Sequence, residues 1–129
     1  MRLGENSNCF VCGKDNPYGL KLSFSSSGGK ITSEFLPAPA YQGYEDITHG
    51  GIIASVLDEA MIQAAIAEGA TPVTAEIRVR FRKPLAVNRK ALVEAEITRR
   101  GTKLFEAKSR LLDSCDGTLI AEADAKLIR

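Results

Sequence analysis

The sequence predicts an α+β fold, an antiparallel sheet of about six strands curled around one long buried helix. Three observations carry this. Residues 51–68 favour a helix, and their apolar side chains point in almost every direction around its axis. From Val73 onward, apolar and polar residues alternate with a period of two. Breaks rich in Gly, Pro and Ser divide the remainder into strand-length pieces.

Residues 1–18 are polar and rich in Gly, Asn and Cys, and read as a lead-in. Leu20–Phe24 and Ile31–Phe35 flank Ser25-Ser26-Ser27-Gly28-Gly29, which predicts a hairpin. A loop with Pro37, Pro39 and Gly43 follows. In the helix, Ala, Leu, Met, Glu and Gln favour the conformation and Gly69 stops it. Ile52, Ile53, Val56, Leu57, Met61, Ile62 and Ile66 leave it no broad polar face, so it is buried rather than lying on a surface. Val73, Ala75, Ile77, Val79 and Phe81 then alternate with Thr74, Glu76, Arg78, Arg80 and Arg82 until Pro84. Three further alternating segments follow, beginning at Val93, Leu104 and Leu119, with short turns between them. Such turns predict an antiparallel meander with one wet face. No repeat or linker divides the chain, so residues 1–129 are expected to form one domain.

Composition excludes several classes. No apolar run approaches the roughly 20 residues that span a bilayer, and the first residues lack the apolar stretch of a secretory signal. The odd cysteine count, three, argues against a disulfide framework and for a reducing cytoplasm. Residues 78–103 hold nine basic residues and only two acids, a local charge of +7 within a chain of net +1. That stretch is either a solvated strand face or a site for an anionic ligand. With 6% aromatic residues and no Trp, stacking platforms are scarce, and no nucleic-acid partner is expected.

Three groups of residues can carry chemistry. Asp58 and Glu59 lie inside the apolar helix, where an unpaired carboxylate is costly to bury. His49-Gly50-Gly51 opens the helix, where free N–H groups favour a phosphate or a developing oxyanion. Cys9 and Cys12 form a CxxC, but a second ligand pair is missing from the sequence, so no metal is expected.

Tyr41-Gln42-Gly43-Tyr44, followed by His49-Gly50-Gly51-Ile52-Ile53-Ala54-Ser55-Val56-Leu57-Asp58-Glu59-Ala60, resembles the signature of the hotdog-fold acyl-CoA thioesterases of the phenylacetate-degradation (PaaI-like) branch. So do Pro72–Glu76 with Phe81–Leu85, and Cys9–Gly13 with Asn16-Pro17 and Gly19-Leu20. The resemblance implies thioester hydrolysis with Asp58 as general base or nucleophile, and with Gly50 and Gly51 N–H groups polarising the carbonyl. Thr74 would steady the attacking water, and His49 would shape the loop. Several family members have Asn where this chain has Gly43, and Gln42 is the available substitute. Arg82, Arg100, Gly101, Thr102 and Lys103 are expected to contact coenzyme A, which enters as part of the substrate. No cofactor is expected.

Gly50 and Asp58 are about 12 Å apart along one helix, too far to serve one carbonyl. If both act on one substrate, the acid comes from a second subunit, so a homodimer that shares its sites is expected. The resemblance implies that such dimers pair again into tetramers. The alternatives are a hydratase or dehydratase acting on acyl thioesters, or a non-catalytic acyl-CoA-binding module.

Overall fold

The computed structural model describes residues 7–129. Residues 1–6 of the lead-in lie outside the described residues. The helix, α1, runs Gly50–Ile66. It starts one residue earlier than its composition suggests because His49 caps it from an extended conformation, φ −62° and ψ 134°. It ends short of residue 68, where the chain turns into the left-handed conformation at Gly69, φ +86°.

Among the described residues, six strands form one antiparallel sheet: β1 Ser25–Ser27, β2 Lys30–Phe35, β3 Val73–Phe81, β4 Ala91–Arg100, β5 Leu104–Asp113 and β6 Leu119–Ile128. The sheet packs around α1, and Val56, Leu57, Ala60 and Met61 are fully buried among Phe35, Val93, Leu111 and Leu127. Small residues at Ala121, Ala123 and Ala125 let the helix lie close to β6. Each large apolar side chain buried here contributes about 1.5–3 kcal/mol. Ser109 Oγ donates to the Leu57 carbonyl at 3.1 Å, tying the sheet to the helix one residue before Asp58. This is the hotdog arrangement.

Two expectations are corrected. The hairpin exists, but its first strand is Ser25–Ser27, turning at Gly28 and Gly29, both at positive φ. The apolar run Leu20–Phe24 instead packs on the core, with Leu22 buried, because those side chains gain more there than on an exposed edge strand. The meander holds only for β4, β5 and β6. The sheet order is β1-β2-β4-β5-β6-β3, so β3 pairs with β6 at the far edge instead of with β4. The chain crosses over through α1 and returns across the sheet at residues 82–90.

That placement exposes β3. Ile77 pairs with Ala125 and Phe81 with Ala121, so they share the helix-side face with buried neighbours. Yet Ile77 is 37% and Phe81 55% exposed, on a strand whose outer edge pairs with nothing among the described residues.

Candidate active site

Asp58 is half-buried on α1, and Thr74 Oγ1 donates to its Oδ1 at 2.6 Å. Strict alternation would turn Thr74 away from the helix. A register shift between Thr74 and Glu76 breaks the alternation: Thr74 pairs with buried Leu127, while Ile77 pairs with buried Ala125. Both therefore face inward, and Ala75 takes up the extra residue. The bulge aims the Thr74 hydroxyl at the carboxylate.

At the start of α1, His49 Nδ1 accepts from the Gly51 N–H at 2.8 Å. A neutral ring accepting at Nδ1 carries its proton on Nε2. Gly51 was expected to offer its N–H to a substrate, but here that group is held by His49. The Gly50 N–H meets no acceptor among the described residues and is the open donor of the helix start. A Cβ on Gly51 would come within 3.1 Å of the His49 ring, so a side chain there would push the cap aside. Gln42, the candidate substitute for the missing Asn, is occupied inside its own loop. It accepts from the Asp46 N–H at 2.6 Å and donates to the Pro39 carbonyl at 2.8 Å. An open cleft of about 350 Å³ lies here, lined by Ala40, Tyr41, Gln42, His49, Gly51 and Ile52. A larger concavity of about 510 Å³ lies among Arg78, Glu94, Lys108 and Asp124, charges of both signs away from these groups.

Glu59 points elsewhere. Cys9 Sγ approaches its Oε1 at 3.5 Å and Gln63 Nε2 its Oε2 at 3.0 Å. Burial raises the Glu59 pKa above the ordinary carboxylate value, the Gln63 and Cys9 hydrogen bonds oppose this, and Asp58 adds to it. Burial, then Cys9 and Glu59, pushes the Cys12 thiol up to about 12. The sequence shows the CxxC and the i, i+4 pair Glu59 and Gln63, but not that the two meet.

The basic stretch divides in two. Arg82 pairs with Glu122 at 3.2 Å, and Arg100 makes a bidentate pair with Glu68, both bonds 2.6 Å. Lys103 has no acidic partner among the described residues. It lines an open pocket of about 470 Å³ with Arg99, Gly101, Thr102 and Leu104. The turn is tight: the Gly101 N–H donates to the Leu104 carbonyl at 2.8 Å, and a Cβ at Gly101 would meet that oxygen at 2.7 Å. Leu104 pairs with Ile128, which pairs with Val73. Gly101, Thr102 and Lys103 thus sit at the Thr74 end of β3. Arg82 follows Phe81 at the other end, where Gly50 lies against the Phe81 ring. A single chain does not bring the expected coenzyme A contacts together, nor Asp58 to Gly50.

No curated protein matches the chain. Among solved structures, a zebra fish thioesterase superfamily member 2 superposes with a TM-score of 0.79 at 21% identity, covering 88% of each chain. The E. coli PaaI protein of the phenylacetic acid degradation operon gives 0.79 at 17% identity, covering 85% of this chain and 84% of that one. A Streptococcus pneumoniae thioesterase protein with coenzyme A gives 0.78 at 14% identity, over 83% and 86% of the two chains. These likenesses concern the fold. The thioesterase superfamily model matches residues 45–120, which take in the helix, the bulged strand and most of the sheet. The chain belongs to the thioesterase superfamily.

Proposed function

We propose that the protein is an acyl-CoA thioesterase acting as a homodimer, with each site shared between subunits. The observation that carries this reading is the pairing of Asp58 with Thr74 on a buried helix whose open donor, Gly50, lies eight positions away. Thr74 fixes one carboxylate oxygen, and the other meets no donor among the described residues. Asp58 then takes a proton from water as its oxygen attacks the carbonyl carbon, or attacks directly and is released by water. The Gly50 N–H stabilises the carbonyl oxygen as charge develops. Collapse breaks the C–S bond, and the thiolate leaves as coenzyme A after taking up a proton.

The exposed apolar side chains and open edge of β3 support the dimer, since an unpaired edge is a template for another strand. A two-fold axis near the middle of β3 sets the Thr74 end of one subunit against the Phe81 end of the other. Asp58 then approaches the partner's Gly50, and Lys103 approaches the partner's Arg82. Cationic groups that are separate in one chain converge where a nucleotide phosphate would lie.

The test is release of thiol from a panel of acyl-CoA esters, followed with a chromogenic thiol reagent, alongside a short thioester lacking the nucleotide. Turnover of at least one CoA ester is expected. Binding without release would overturn hydrolysis in favour of a binding module. In the same assay Lys103→Ala is expected to raise KM for the CoA ester several-fold, about 1 kcal/mol for one exposed charge contact, and to leave the short thioester unchanged. Added salt should reproduce the loss in the parent protein. Equal effects on both substrates would remove the nucleotide contact.

A further inference from the structure

The lead-in meets the central helix in a cluster that thioester hydrolysis does not use. The Cys9 and Cys12 sulfurs and a Glu59 carboxylate oxygen all lie within 4.8 Å of one another, and all three residues are half-buried. Gln63, one turn along from Glu59, brings its terminal amide 3.8 Å from Cys12 Sγ and 3.0 Å from Glu59 Oε2. Two sulfurs and two oxygen-bearing side chains thus converge from two distant parts of the chain.

The loop is shaped for this. The Cys12 N–H points at Cys9 Sγ, 3.5 Å away, a backbone donor of the kind that stabilises a thiolate. The Gly13 N–H closes the turn on the Cys9 carbonyl at 2.9 Å, and a Cβ at Gly13 would lie only 2.3 Å from Cys9 N, so the turn admits no side chain there. Val11, buried between the cysteines in sequence, anchors the loop in the core. The spacing also fits. Tetrahedral zinc, with Zn–S near 2.3 Å and Zn–O near 2.1 Å, sets sulfur–oxygen edges at about 3.6 Å. The observed Cys9 Sγ–Glu59 Oε1 separation is 3.5 Å, and Cys12 Sγ lies 3.8 Å from the Gln63 amide nitrogen, the place the amide oxygen takes when that group is turned over.

We infer that Cys9, Cys12, Glu59 and Gln63 form a zinc site that clamps the lead-in to the helix carrying Asp58. Gln63 would coordinate through its amide oxygen after a half-turn of the amide, which is sterically equivalent to the orientation seen. Binding releases the two thiol protons to solvent and involves no change of oxidation state. Two thiolates with two oxygens suit a borderline-soft ion such as zinc better than magnesium or calcium. A Cys9–Cys12 disulfide would give the converging carboxylate and amide no role.

The test uses the full chain, reduced and stripped of metal under anaerobic conditions, titrated with Co²⁺ as a spectroscopic stand-in for zinc. The expected result is saturation at one equivalent per chain, with a sulfur-to-cobalt charge-transfer band and tetrahedral d–d bands that excess Zn²⁺ abolishes. The double variant Cys9→Ser with Cys12→Ser should lose both, and Cys115→Ser should lose neither. Glu59→Gln keeps the side-chain shape and is expected to weaken the affinity at least about tenfold. Absence of the charge-transfer band in the reduced parent protein overturns the site. So does an unchanged band in the cysteine variant or, should that variant not fold, an unchanged affinity in Glu59→Gln.

Discussion

Replacing Asp58 by Asn is expected to lower kcat by about 100-fold or more, with the melting temperature and KM for the CoA ester little changed. Asn has the shape of Asp, and its amide oxygen can still accept from Thr74, whose hydroxyl lies 2.6 Å from the carboxylate. What it cannot do is take a proton from water or attack a carbonyl. The loss should therefore fall on the chemical step rather than on binding. Steady-state kinetics on the folded variant measure it. Near-normal turnover would remove Asp58 from the mechanism and direct attention to Glu59, the neighbouring carboxylate whose pKa is raised by burial.

Replacing Gly50 by Pro is expected to lower kcat by about 100- to 1,000-fold, the scale of losing one donor to an oxyanion. Proline removes the N–H itself and is tolerated at the first position of a helix. His49 already has φ −62° and ψ 134°, the extended region that a following proline favours. A Cβ at Gly50 would meet the Phe81 ring at 3.5 Å, ordinary contact. The helix should persist, which circular dichroism and the melting temperature check. Unchanged turnover in a folded Gly50→Pro variant would mean that the carbonyl is polarised elsewhere.

Much of this arrangement is legible in the amino-acid order. A helix apolar all round, from Ile52 to Ile66, can be hidden only by a sheet that curls over it, and the two-residue period after Val73 supplies that sheet. Asp58 stands out as a carboxylate where burial is costly. Other features depend on long-range packing. Periodicity places Thr74 on the polar side of β3, because a bulge depends on how β6 pairs with the strand and leaves little trace in composition. Alternation predicts that β3 is a strand but not which neighbour it takes, so its place at the open edge is invisible until the topology is known. The charge of residues 78–103 is plain in the sequence, but that Glu68 and Glu122 hold Arg100 and Arg82, leaving Lys103 without an acidic partner among the described residues, follows only from the fold. The CxxC looks incomplete as a ligand set because Glu59, 50 positions from Cys9, reaches it through space.

A site divided between two subunits is tested most directly by mixing two inactive variants, Asp58→Asn and Gly50→Pro, each first shown to be folded. Each heterodimer would hold one site with both lesions and one with neither. Random reassortment of equal amounts makes half the dimers mixed, so about a quarter of the parental activity is expected to return. Mass spectrometry of differently tagged subunits confirms that exchange has occurred. Activity that stays at the level of the separate variants after confirmed exchange would contradict the shared site and place Asp58 and Gly50 at work within one chain, or not together.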